Sequence, residues 1–181
     1  MEESAVLTFI DVQGKLSDLM DNREDLFNRL LTLIRGFQAL EIPILWLEQL
    51  PEKLGATRPE LAAELQKTGR PLAKTSFSAL GCEAYRRALE QTGARRVYLC
   101  GIEAHICVYQ TARDLLAQNY RLTLLADCVS SRRAADRETA IAAIRDLGGR
   151  ILGLEGALFE ILGDPGHPAF REISRLIKPL A

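Results

Sequence analysis

The stretch Arg96-Val-Tyr-Leu-Cys-Gly-Ile-Glu-Ala-His-Ile-Cys-Val-Tyr109 decides the fold. Its first five residues, RVYLC (Arg96–Cys100), form a short apolar run closed by Gly101. Such a run suits a strand covered on both faces better than a half-exposed one, which would alternate. Residues 105–118 then bring Ala112, Leu115 and Leu116 onto one side, the spacing of a helix. A buried strand leading directly into a helix is the repeating unit of a parallel sheet, because parallel neighbours need a long crossover.

Outward from this unit the same alternation recurs. AVLTFI (Ala5–Ile10), IPILWL (Ile42–Leu47), residues 71–75, RLTLLA (Arg121–Ala126) and RILGL (Arg150–Leu154) read as the other strands. Residues 22–40 place Leu26, Phe27, Leu30, Leu33, Ile34 and Phe37 at helical spacing. Helices are also expected over 82–91, closed by Gly93, over 133–147, closed by Gly148 and Gly149, and over 154–161 and 168–178, with turn-rich GDPGHP between the last two. The pattern predicts an α/β fold with six strands, mostly parallel, and helices on both faces. No repeat or linker divides the 181 residues, so one domain spanning 1–181 is expected.

Composition narrows the function. A net charge of -1 offers no basic face for nucleic acid. No apolar run approaches the roughly 20 residues of a membrane span. The acidic start MEES lacks the basic region of a signal peptide, so a cytoplasmic protein is expected. Cys82, Cys100, Cys107 and Cys128 form no CxxC pair, and His105 and His167 are the only histidines. Zinc-ligand spacing is missing, no metal or cofactor is expected, and four free thiols are the default in a reducing compartment.

In an open parallel sheet, ligands bind beyond the carboxyl ends of the strands. There the sequence places Asp11 and Gln13, then Glu48 and Gln49, Lys74 with Ser76 and Ser78, then Gly101, Glu103, His105 and Cys107, and finally Asp127 and Ser130. A carboxylate, an ammonium and a thiol can therefore meet at one edge. Taken singly, Asp11 also suits a turn cap and Lys74 a solvated surface. Cys107 at a helix start would face unpaired backbone N–H groups and the positive end of the dipole, which favour thiolate; plain burial beneath the helix, as for Cys100, is the alternative.

FIDVQ (Phe9–Gln13), LEQ (Leu47–Gln49), KTSFS (Lys74–Ser78), CGIEAHICVYQTARDLL (Cys100–Leu116) and ADCVSSR (Ala126–Arg132) together resemble the isochorismatase-like cysteine hydrolases, in particular the isochorismatase domain-containing subgroup. The resemblance implies a three-layer Rossmann-like fold and a catalytic triad, here Asp11, Lys74 and Cys107. It also implies a non-proline cis peptide at Ile102–Glu103 and an oxyanion held by backbone amides, those of Ile106 or Cys107 among them. Gln13, Gln49, Phe77, Ile102, Glu103, His105 and Ile106 are the candidate pocket residues, and Trp46, Phe77 and Tyr109 are the expected aromatic walls. The implied reaction is hydrolysis of a small amide, ureide or ester: Asp11 takes the thiol proton, Lys74 balances charge, and the Cys107 thiolate forms an acyl-enzyme. A homo-oligomer, dimer or tetramer, is implied as well.

The chain departs from parts of that family. Two histidines cannot rebuild the Asp/His metal site of nicotinamidases. The presence of Cys107 argues against vinyl-ether cleavage, which needs no such nucleophile. Glu103 stands where a hydroxyl residue is frequent and disfavours an anionic substrate. Three rival readings share these residues. Cys107 and Arg113 match the C-x5-R spacing of cysteine phosphatases, although VYQTA lacks the glycine-like freedom of a phosphate loop. His105 and Cys107 could form a dyad, although side chains two apart on a helix diverge. Last, the fold could serve as a non-catalytic binding protein.

Overall fold

The computed structural model describes residues 4–180, so Met1–Glu3 of the acidic start and Ala181 lie outside the described residues. In chain order the strands are β1 (Ala5–Ile10), β2 (Ile44–Gln49), β3 (Leu72–Lys74), β4 (Arg96–Ile102), β5 (Arg121–Ser130) and β6 (Arg150–Leu152). The helices are α1 (Gly14–Asp18), α2 (Arg23–Ala39), α3 (Pro51–Leu54), α4 (Pro59–Leu65), α5 (Glu83–Thr92), α6 (Tyr109–Ala117), α7 (Ala134–Asp146), α8 (Leu154–Leu162) and α9 (Phe170–Ile177). A π-helical turn, Ala104–Val108, precedes α6.

The strands form one sheet in the order β3-β2-β1-β4-β5-β6. Every strand pairing is parallel, so "mostly parallel" understates the regularity; the antiparallel bridge Gln13–Thr57 lies outside the strands. The chain winds outward from β1 to β3, then returns to β4 on the other side of β1. Its topological switch point therefore lies between β1 and β4, where doubly wound sheets open a crevice.

Side-chain parity sends alternate strand residues to opposite layers. Leu7 and Phe9 of β1, with Tyr98, Cys100 and Ile102 of β4, join the apolar face of α2 (Leu26, Leu30, Leu33, Ile34, Phe37) and residues of α8 and α9. Val6, Ile10, Val97 and Leu99 pack on the opposite side against Tyr85, Leu89, Ala112, Leu115, Ala140 and Ile144 of α5 to α7. Thr8 shares that parity, and its hydroxyl meets the Tyr85 hydroxyl at 2.7 Å instead of leaving a buried polar atom alone. Burying each large aliphatic side chain here contributes about 1.5–3 kcal/mol.

Several boundaries differ from the apolar runs. β2 extends to Gln49, so Glu48 and Gln49 end the strand and do not follow it. β5 runs on to Ser130, which places Asp127 within the strand. Its carboxylate accepts from the Leu154 amide at 2.7 Å and from Arg29 at 3.2 Å, stabilising the start of α8 and not a strand-end site. Short α1, α3 and α4 escape periodicity, although Pro51 and Pro59 each open a helix from its first turn. Among the described residues, no helix is long and apolar enough to cross a membrane.

Candidate active site

β1 and β4 touch closely at the switch point. A Cβ on Gly101 would stand 2.1 Å from the Ile10 carbonyl oxygen, so only glycine permits this approach, at φ 115°. Asp11 follows with φ 51°, a left-handed conformation uncommon outside glycine, and its amide donates to the Leu47 carbonyl at 3.2 Å. The turn tips the Asp11 side chain into the sheet edge, where it is 2% exposed.

Lys74 comes from two strands away. Its partner in register on β2 is Gln49, and its ammonium lies 2.6 Å from Gln49 Oε1. It also donates to the Ser76 and Phe77 carbonyls, at 3.1 and 3.0 Å, which folds the 75–78 loop around it. The remaining contact is the Asp11 carboxylate, Nζ to Oδ2 2.7 Å, with both side chains shut off from water. Cys107 sits in the π-helical turn after β4, beside Asp11 and Lys74, and the charges of both act on its thiol. Among the described residues neither Asp11 carboxylate oxygen has a hydrogen-bond partner, and Oδ2 is met by the Lys74 ammonium as an ion pair.

Burial and the Asp11 carboxylate oppose the thiolate that a helix start favours. Cys107 lies two residues before α6, in the π-helical turn that leads into it, and burial pushes its thiol up to about 12, with the Asp11 charge acting in the same direction and Lys74 only partly opposing them. Both effects favour the protonated thiol in the free protein. Burial also raises Asp11 above its ordinary carboxylate value, against the pull of Lys74. Cys100 and Cys128 are fully buried, and burial raises both well above the ordinary thiol value.

Cys107 opens onto a cavity of about 130 Å3 lined by Asp11, Leu16, Gln49, Leu54, Phe77, Ile102, Glu103, Ile106 and Cys107. Its polar side chains are largely engaged. Gln49 uses Oε1 on Lys74 and Nε2 on the Thr75 carbonyl. Glu103 Oε2 accepts from the Arg132 backbone amide at 3.2 Å and from its guanidinium at 3.0 Å, so Arg132 neutralises the carboxylate that the sequence sets against anions. The Ile102–Glu103 peptide is cis, and the Ile106 amide donates to the Glu103 carbonyl at 3.1 Å.

Other expected pocket residues are placed elsewhere. Gln13 is fully buried outside the cavity lining, as a clamp: its Oε1 accepts from the Gln49 amide at 2.6 Å, and its Nε2 donates to the Gln49 and Gly55 carbonyls. His105 turns to the Ser131 hydroxyl, Nδ1 to Oγ 2.9 Å, and does not line the cavity, which removes the geometry of a dyad. Trp46 belongs to the opposite layer, donating to Thr57 Oγ1, itself held by Glu48, while Tyr109 packs outside the lining. Arg113 pairs with Asp114 at the surface, so the C-x5-R spacing builds no anion cradle. Leu16 and Leu54 are the lining residues that periodicity missed, because α1 and α3 are too short to show a face.

A larger polar cleft of about 390 Å3 lies around Asp25, Arg29, Asp127 and Arg137. Its charges are engaged with one another and with the backbone: Arg29 with Asp25 and Asp127, Arg137 with the Val129 and Ala126 carbonyls. No group of three or more His, Cys, Asp or Glu suited to a metal ion occurs among the described residues.

The isochorismatase domain model matches residues 5–156. An isochorismatase domain-containing protein 2 from Pongo abelii is 38% identical over 176 residues, covering 97% of this chain and 83% of that protein. A solved structure described as MAR1 ribonuclease from Caenorhabditis elegans superposes with a TM-score of 0.91 at 31% identity, over 97% of this chain and 90% of that one. YcaC from Escherichia coli, described as an octameric hydrolase of unknown specificity, shares the fold at a TM-score of 0.84 and 19% identity, over 99% and 95% of the two chains. With the matched domain spanning β1 to α8 and so including Asp11, Lys74 and Cys107, the chain belongs to the isochorismatase family.

Proposed function

We propose that this chain is a cysteine hydrolase that cleaves a small amide, ureide or ester through an acyl-enzyme on Cys107. The observation that carries the reading is the water-excluded Asp11–Lys74 pair, 2.7 Å apart, with Asp11 lining the same small cavity as the Cys107 thiol. A buried ion pair is weak evidence for stability alone, and a residue such as Asp11 at φ 51° costs on the order of 1 kcal/mol or more. Both features suit a site kept for chemistry.

In the proposed reaction the Cys107 proton moves to Asp11 as sulfur attacks the carbonyl carbon. The S–C bond forms, and the carbonyl oxygen becomes an anion held by backbone N–H. The Ile106 amide already donates to Glu103, so we assign the Cys107 amide to this role. Collapse breaks the C–N or C–O bond while Asp11 returns its proton to the leaving group. Water then adds to the thioester, again giving a proton to Asp11. The S–C bond breaks, Asp11 returns that proton to sulfur, the carboxylic acid departs, and thiol and carboxylate are restored. Lys74 keeps Asp11 anionic between proton transfers and fixes its orientation.

The relative described as a ribonuclease raises RNA as a second substrate class. The net charge of -1 and the 130 Å3 cavity favour a small molecule instead, since RNA binding is built on phosphate neutralisation. Assembly into a dimer or tetramer is part of the proposal: Phe77 at the cavity mouth is 54% exposed, a surface that an interface would cover.

The test is a screen of small amides, ureides and esters with wild type and Cys107→Ala, with an unstructured RNA in parallel. Turnover of a small substrate that disappears in the variant supports the reading. Equal turnover by both proteins removes the nucleophile. RNA cleavage dependent on Cys107, without small-molecule turnover, replaces the substrate class.

A further inference from the structure

Within the hydrolase reading, which this inference presupposes, we infer that the site accepts a short, uncharged aliphatic acyl group, with Leu16 and Leu54 setting its length. The cavity beside Cys107 holds about 130 Å3. An apolar protein cavity of about 150 Å3 accommodates benzene, which limits the acyl group here to roughly six heavy atoms. Its walls are Leu16, Leu54, Phe77, Ile102 and Ile106.

The polar groups at its edge are engaged. Asp11 faces Lys74, Gln49 is bonded at both ends of its amide, and Glu103 is bound by Arg132. Lys74 reaches four oxygens with three N–H groups and has no donor to spare. An acyl group carrying its own carboxylate would enter without an unengaged cation in the lining to receive it, and would meet the Asp11 charge.

The wall formed by the two leucines is anchored. Gly14 packs so tightly against the α3 end that a Cβ there would stand 2.1 Å from the Leu54 carbonyl oxygen. Gln13 donates to the adjacent Gly55 carbonyl at 2.6 Å, and the Gly14 amide donates to the Ala56 carbonyl at 3.1 Å. Leu16 on α1 and Leu54 on α3 are therefore held together by backbone and clamp, while both side chains remain only half-buried. Truncating either enlarges the cavity without removing a core residue.

The test is intact-mass measurement of Cys107 acylation by phenyl acetate, butanoate, hexanoate and benzoate, and by the phenyl half-ester of malonic acid. Each rate is divided by that of the same ester with free cysteine. Acetate and butanoate should react fastest, with hexanoate, benzoate and the malonate half-ester at least about tenfold slower, the scale at which pocket contacts discriminate substrates. Leu54→Ala or Leu16→Ala should raise the hexanoate-to-acetate ratio by about tenfold on the same scale. A flat profile across the esters, malonate equal to butanoate, or an unchanged ratio in both variants overturns the inference and leaves the hydrolase reading standing. Absence of Cys107 acylation by every ester contradicts the hydrolase reading and this inference together.

Discussion

The ammonium of Lys74 stands 2.7 Å from Asp11 Oδ2, with both side chains closed to water. Two desolvated charges of opposite sign stabilise each other only while both are present, and removing one leaves the other uncompensated.

Lys74→Met should therefore destabilise the protein by about 3–5 kcal/mol in denaturant unfolding. Adding Asp11→Asn should recover part of that loss, because the stranded carboxylate is gone. A double variant as unstable as the sum of the two singles would contradict the coupling.

The Cys107 thiol gives stability a pH dependence in the alkaline range. Its folded value is raised from 9.0 to about 12, so the folded state holds the proton more tightly than the unfolded chain. Its contribution is full below pH 9 and is lost as pH rises towards 12, on the order of a few kcal/mol. Tyr85, Cys100 and Cys128 are raised by burial too and push in the same direction. The difference between wild type and Cys107→Ala in urea melts at pH 8 and pH 10.5 isolates the Cys107 share. Equal losses in the two proteins would contradict it.

Activity should fail on the acid side. Asp11 accepts a proton in the proposed reaction and must start as carboxylate, and burial raises its titration above 3.8. The kcat/KM profile should therefore fall as pH drops through a midpoint above 3.8. Iodoacetamide should label Cys107 at pH 7 more slowly than a free cysteine, since the buried thiol is protonated. Faster labelling would show a preformed thiolate.

Gln13→Ala should act through the loop it clamps. The substitution strips the buried Gln49 amide and carbonyl of their Gln13 partner, at about 1–3 kcal/mol for each group left unsatisfied. Longer acyl groups should gain relative to acetate as Leu54 loosens. Unchanged stability with unchanged selectivity would contradict the clamp.

Much of the architecture is legible because strands buried on both faces read as unbroken apolar runs. β1 and β4 are examples, and α2 shows its face plainly in Leu26, Leu30, Leu33, Ile34 and Phe37. The convergence of Asp11, Lys74 and Cys107 follows from strand ends in a parallel sheet. Their protonation does not, because the Cys107 value is set by burial and by the nearby Asp11 charge, neither of which spacing encodes. Strand parity turns Trp46 to the layer opposite Leu47, where Thr57 Oγ1 accepts from its indole N–H. Leu16 and Leu54 stayed hidden because four or five residues carry no helical period. Asp127 lies inside β5 because the strand continues through polar residues after its apolar run ends.

The most direct measurement traps the covalent intermediate. Wild type and Asp11→Asn are mixed with phenyl acetate at pH 7, quenched within seconds, digested and mapped by mass spectrometry. The account predicts an acetyl group on the Cys107 peptide of wild type and its near absence in Asp11→Asn, whose side chain cannot accept the thiol proton. Acetylation elsewhere with Cys107 unmodified, or equal acetylation of Cys107 in both proteins, would contradict it.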